Sequence, residues 1–239
     1  MIKRIFFIVA IILSLPCIGR SNLPKIQIEY SYALDLLCPN SVVPEVLTSS
    51  QLKLIEKIPE YRNELLGKIN WFQSEWDLQG QPLLAQAISI IGKPFPMIEI
   101  QASLFLCPRF PSMGTPLAIN VVSYLNSSAR MIDGLSGNPL PVFFFVSTTF
   151  HEILHKYVNN ILRKSPSVIL AKLNGTDLYK NHLHLFALQK LVFESMHLAH
   201  RLPQVQQVEA MHGSDYVRAW NAVHENPTLY EALVAELKF

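Results

Sequence analysis

Apolar and polar positions alternate from Lys25 to Tyr32, placing Ile26, Ile28 and Tyr30 on one side. A period of two predicts a strand with one buried face. The spacing then changes. Thr48-Ser49-Ser50 can cap a helix from Gln51, and Pro59 restarts it. Leu65, Ile69, Phe72 and Trp76 then recur at helical spacing to about Asp77. A shorter helix is expected from Pro82 to Ile91, with Gly92 as its C-terminal cap. Alternation returns from Met97 to Leu106, and Leu117 to Leu125 reads as another strand, separated from it by a proline-rich loop from Cys107 to Pro116. Met131 to Leu140 is rich in turn residues (Gly134, Gly137, Asn138-Pro139). Beyond Pro166 the periodicity is helical, over about 177–199, 203–211 and 214–239. There is no internal repeat and no low-complexity tract.

Strands gathered in the first half and helices in the second predict an α+β fold, mostly helical, with a small sheet packed on a central helix. The chain has 239 residues, 50% hydrophobic and 16% charged, with 9 Gly and 16 Pro, enough to bury a sizeable core. The net charge of +2, with no basic cluster interleaved with aromatics, argues against a nucleic-acid partner. Residues 20–239 are expected to form one domain: helices and sheet over 20–140, then the central helix and C-terminal helices over 141–239.

The first 19 residues have another character. Met1-Ile2-Lys3-Arg4 is a positive start, Ile5 to Leu15 is apolar, and Pro16 to Gly19 leads to polar Arg20-Ser21-Asn22. This is the pattern of a secretory signal peptide cleaved after about Gly19. An apolar run from Ile5 to Ile18 is short for a span of about 20 residues, so no stable membrane anchor is expected after cleavage. The destination is periplasmic or secreted. Pro16 stands where a small residue precedes a lipidated cysteine, which disfavours lipidation of Cys17. The mature chain would carry 18 basic and 18 acidic residues. Cys38 and Cys107, each followed by proline, can form one disulfide in an oxidising compartment or remain buried thiols.

Candidate chemistry lies between these halves. Pro141 precedes the apolar run Val142 to Val146, and Ser147-Thr148-Thr149 offers N-cap residues. From there to about Arg163 no Gly or Pro intervenes, and Phe150, Leu154, Tyr157, Val158 and Ile161 form one apolar stripe. The helix carries His151-Glu152-Ile153-Leu154-His155 in its first turns. Positions i and i+4 share a helix face, so two imidazoles at this spacing can bind one tetrahedral Zn²⁺. Glu152 stands where a general base can reach a water at the site.

The HExxH motif resembles that of the zincin metallopeptidases, and the order of sheet, motif helix and further helices is similar to theirs. The resemblance implies a small sheet behind the helix whose edge strand pairs with an extended peptide; Leu117 to Leu125 is the candidate edge. It also implies a third protein ligand. Val158 and Ile161 stand where the metzincin pattern needs Gly and His, which sets that class aside. A glutamate from a later helix could be Glu194, with Glu209 second. Gly175-Thr176-Asp177 only approximates the segment that supplies an aspartate ligand. A histidine could come from Asn181-His182-Leu183-His184. On a helix over 178–198, His182 falls within about 40° of the centre of the apolar face, as does Gln189, whereas Glu194 lies roughly 150° away. His182 is therefore preferred, with a kink or late helix start able to substitute His184.

Taken together, these readings imply an exported zinc peptidase acting on peptides or proteins, with His151, His155 and His182 as ligands and Glu152 as base. Tyr157, Tyr179, His212 and Tyr216 are candidates to steady the oxyanion. Two other classes remain open: a catalytically inactive binding protein on the same scaffold, and a zinc hydrolase acting on non-peptide bonds. Oligomeric state is not readable from the chain.

Overall fold

The computed structural model describes residues 23–40, 55–107, 112–126 and 140–239. The leader segment, the helix start at Gln51 and the turn-rich stretch over 131–139 lie outside these residues.

Strand β1 (Lys25–Tyr30) leads into helix α1 (Tyr32–Asn40), and helix α2 (Ile58–Glu75) runs into a π-helical turn, Trp76–Gly80. Helix α3 (Gln81–Ile91) ends at Gly92 in the left-handed conformation, φ 73°, with Gly92 N–H donating to the Ile88 carbonyl. This is the cap expected of glycine there. Strands β2 (Glu99–Phe105), β3 (Met113–Gly114) and β4 (Leu117–Asn120) follow. The helices of the second half are α4 (Val142–Lys164), α5 (Val168–Lys172), α6 (Asp177–Ser195), α7 (Leu202–Ala210), α8 (Ser214–Glu225) and α9 (Pro227–Lys238).

The sheet has the order β1-β2-β4-β3. β1, β2 and β4 are parallel, in register Lys25 with Glu99 and Ser103 with Ala118, and β3 is antiparallel to β4. The fold is thus α+β, mostly helical, with one small mixed sheet. One hydrophobic cluster runs from Ile26 on β1 through Phe145 and Leu154 on α4 to Leu237 on α9. α4 is its axis, with Phe150, Leu154, Tyr157, Val158 and Ile161 all buried. No helix among the described residues is long and apolar enough to cross a membrane.

Several expectations need correction. α4 begins at Val142, directly after Pro141, one and a half turns before Ser147. Ser147 and Thr149 are buried within it and cap nothing. Pro141 fixes an extended backbone and leaves the next residue free to start the helix. The motif therefore sits in the middle of α4, where packing on both sides holds its backbone. The segment 214–239 is two helices, broken where Asn226 caps α9 by accepting from Leu229 N–H and Pro227 begins it. α6 stops at Ser195, and His197 takes a positive φ of 60°. Tyr32 belongs to α1 instead of the first strand.

The sheet edge is also different. Leu117 to Leu125 is not an edge strand. Over Leu117–Asn120 it lies between β2, paired at Ala118 to Asn120, and β3, paired at Leu117 and Ala118, and then turns into a short 3₁₀ helix, Val122–Tyr124. The outer strand is β3, from the segment read as a proline-rich loop. Two residues are too few to leave an alternating signature. At the opposite edge, Gln73 of α2 lies along β1: its amide donates to the Ile26 carbonyl (3.0 Å) and accepts from Ile28 N–H (2.8 Å). That side chain occupies backbone groups which an added strand would use.

Cys107 is disulfide-bonded. The side chain of Cys38 lies outside the described residues, so the pairing of these two is not described.

Candidate metal centre

α4 contributes His151, Glu152 and His155; α6, packed against it, contributes His182. One nitrogen from each histidine lies within 4.8 Å of those of the other two. The His151 and His155 ring centroids are 4.9 Å apart, those of His155 and His182 also 4.9 Å, and those of His151 and His182 5.5 Å. A tetrahedral zinc holds nitrogen donors roughly 3.3 Å from one another, so small side-chain rotations separate this spread from a ligand set.

The hydrogen bonds select the nitrogens. His182 Nδ1 lies 2.7 Å from the Leu178 carbonyl. A carbonyl only accepts, so Nδ1 carries the proton and Nε2 keeps its lone pair. That Nε2 is buried without a hydrogen-bond partner. An orphaned buried acceptor is costly unless something binds it, and here it joins two further imidazoles. Three histidines form a donor set suited to zinc, copper, iron or nickel, so the residues present could hold such an ion.

His151 is oriented from behind. Oε1 of Glu209, on α7, lies 3.2 Å from its Nδ1. The two are held by charge more than by alignment, since Nδ1 makes no hydrogen bond of good geometry. Burial disfavours the imidazolium, but the Glu209 carboxylate outweighs it and lifts His151 to about 9. Burial likewise pushes Glu209 up, and the His151 charge more than offsets this, holding its carboxyl below the usual range. His155 and His182 are driven down, first by burial and then by the His151 charge. Both stay neutral, the form that ligates.

Glu152 is only 8% exposed. Burial raises its pKa to about 7; His151 lowers it and Glu209 raises it. β3 passes directly over it. A Cβ added at Gly114 would lie 3.0 Å from the Glu152 backbone oxygen, 3.0 Å from His155 Cβ and 3.4 Å from Glu152 Oε2. The outer strand of the sheet thus borders the carboxylate of the motif.

The other candidates separate clearly. His184 is buried on the far side of α6, its Nε2 2.9 Å from Glu236 Oε2, and Ser167 Oγ donates to the same oxygen. Glu194 accepts from the Tyr230 hydroxyl at 3.1 Å and pairs with Lys190. Asp177 is exposed at the start of α6. Glu209 reaches the cluster through His151 rather than as a member of it. Tyr157 donates to the Lys93 carbonyl and stacks on Phe95, and Tyr179 lies under Arg218, so both are structural. Tyr216 does reach the cluster, its ring centroid 4.1 Å from that of His182, and His212 packs behind it at 5.2 Å from the Tyr216 ring.

The role of Glu209 was missed as such, although a signal was present. Leu202, Val205 and Glu209 share one face of α7 and are all buried, and an acidic residue on an apolar face calls for a partner. Comparison with protein-family models, with curated proteins and with solved structures gave no match to this chain.

Proposed function

We propose that this protein is a zincin-type zinc peptidase, with His151, His155 and His182 holding Zn²⁺ and Glu152 as general base. The observation that carries the reading is the convergence of three imidazoles, one with an orphaned buried Nε2, beside a buried carboxylate of raised pKa. A base is most effective when its pKa is near the working pH. A zinc ion bound there would lower the pKa of a coordinated water to about 7 and polarise a substrate carbonyl. Glu152 takes the proton released as the water attacks and delivers it to the departing amine. Glu209 keeps the His151 ring turned, and burial on α4 keeps Glu152 from swinging away.

A peptide substrate is favoured by the sheet. Gln73 occupies the β1 edge, whereas no described strand pairs with the outer side of β3. An extended chain added there lies beside Glu152, and its backbone groups supply affinity independent of sequence. Export through a cleaved leader is part of the same proposal.

The test is the variant Glu152→Gln, assayed on a broad mixture of fluorogenic peptides with its zinc content measured in parallel. Hydrolysis is expected to fall at least about a hundredfold with zinc retained. Cleavage at the wild-type rate by the variant, or no cleavage of any peptide by zinc-loaded wild type, would overturn the reading.

A further inference from the structure

The ring that approaches a candidate ligand most closely is Tyr216. Its centroid lies 4.1 Å from His182, and its plane is within 17° of that of His151 at 6.3 Å. Phe186, one turn beyond His182 on α6, packs on the same imidazole at 5.2 Å and stacks on Trp220 of α8 at 4.3 Å. His182 is therefore flanked by an aromatic of its own helix and one of α8, which also lie 6.1 Å from each other, and it is 2% exposed.

Tyr216 is held in place from outside the cluster. It lies in the first turn of α8, and the residue before it, Asp215, is tied to the start of α6. Thr176 Oγ1, whose oxygen also caps α6 by accepting from Tyr179 N–H, donates to Asp215 Oδ2 at 2.7 Å. Arg218, one turn on, reaches Asp215 Oδ1 at 3.3 Å and lies over the Tyr179 ring at 4.6 Å. The N-terminus of α8 is thus fastened to the N-terminus of the helix that carries His182, and α6 and α8 pack along each other. These polar contacts hold the first turn of α8, which carries Tyr216, at the start of α6.

We propose that Tyr216 is a positioning residue for the third metal ligand: its ring, latched through Asp215 to Thr176, holds the His182 imidazole with Nε2 aimed at the cluster. This rests on the metal reading above and deepens it. The Leu178 carbonyl fixes the tautomer of His182 and one rotational limit; the tilted Tyr216 ring supplies the other. A ligand confined in both senses loses less freedom on binding metal and binds it more tightly. The ring carries the effect and the hydroxyl does not.

The experiment compares the full chain with Tyr216→Phe, Tyr216→Leu and Asp215→Ala. Zn²⁺ affinity is read by competition with a chromophoric chelator, and ligand geometry by the visible spectrum of the Co²⁺-loaded protein. Circular dichroism of the chelator-treated proteins reports folding. Tyr216→Phe is expected to stay within about twofold of wild type with the same Co²⁺ spectrum. Tyr216→Leu is expected to weaken zinc about 10–100-fold, the range for residues that orient a ligand, with an altered spectrum. Asp215→Ala should fall between them. Wild-type affinity and spectrum in Tyr216→Leu would overturn the proposal, as would a loss in Tyr216→Phe equal to that in Tyr216→Leu, which would assign the effect to the hydroxyl. A wild-type chain that binds neither metal would overturn the metal reading itself, an outcome distinct from both.

Discussion

Oε1 of Glu209, on α7, lies 3.2 Å from Nδ1 of His151, on α4. A carboxylate behind a histidine sets its tautomer and strengthens it as a ligand. Glu209→Gln keeps the shape and removes the charge. It is expected to weaken zinc about 10–100-fold, measured by chelator competition at pH 7. It should also lower the proton affinity of His151 toward that of an ordinary buried imidazole, visible in the histidine ring signals of the chelator-treated protein. Unchanged zinc affinity would mean that the pair is only structural.

The titrating groups set a pH optimum for stability in chelator-treated protein. His155, His182, His184 and His212 are pushed below their usual range, in each case first by burial. Below about pH 6.5 the unfolded chain protonates these four while the fold keeps them neutral, so stability falls with falling pH. Glu152, raised to about 7 by burial, acts in the opposite sense, because the fold binds its proton first; one such group offsets one of the four. His151, lifted to about 9 chiefly by Glu209 against its burial, stabilises the fold at neutral pH and loses that contribution as pH rises toward 9. Each unbalanced proton is worth about 1.4 kcal/mol per pH unit. The melting temperature is therefore expected to peak near pH 7 and to fall more steeply toward pH 5 than toward pH 9. A melting temperature flat from pH 5 to 7 would contradict the assignment of buried neutral imidazoles.

Gly114 is where the outer strand meets the motif. A methyl group there would crowd the Glu152 backbone oxygen and the His155 Cβ at 3.0 Å, so β3 or α4 must shift by a few tenths of an ångström. Displacements of reacting groups are costly in rate, up to about a hundredfold for 1 Å. Gly114→Ala is expected to lower kcat/KM for peptide hydrolysis by roughly three- to tenfold with little change in melting temperature, and Gly114→Val by more. Full activity in Gly114→Val would show that β3 does not set the position of Glu152.

Gly80 tests the fold away from the site. A Cβ there would fall inside the buried indole of Trp76, which closes the π-helical turn against the core. Gly80→Ala is expected to cost about 1–3 kcal/mol through overpacking, read by urea unfolding. Stability equal to wild type would contradict the tight closure of that turn.

Much of this arrangement was legible in the chain. The apolar stripe of α4 and the rotational position of His182 follow from one helical period, and the structure brings His182 to the two motif histidines. The same period set Glu194 off the face, where it pairs with Lys190 and Tyr230. What escaped depended on tertiary contacts. Ser147 and Thr149 look like caps in isolation, but burial of Phe143, Phe144 and Phe145 extends α4 past them. β3 has two residues and exists because β4 and α4 lie against it. Tyr216 was legible only as one of four candidates to steady the oxyanion; its contact with His182 depends on how α8 packs on α6, with Asp215 tied to Thr176.

The central claim is a zinc centre built from His151, His155 and His182. Its most direct test is the metal content of the purified chain after dialysis against dilute zinc, by elemental mass spectrometry, for wild type beside His182→Ala. The account expects one zinc per wild-type chain and little in the variant, with both proteins folded by circular dichroism. A wild type without stoichiometric zinc, or a His182→Ala chain that holds it as well as wild type, would contradict it.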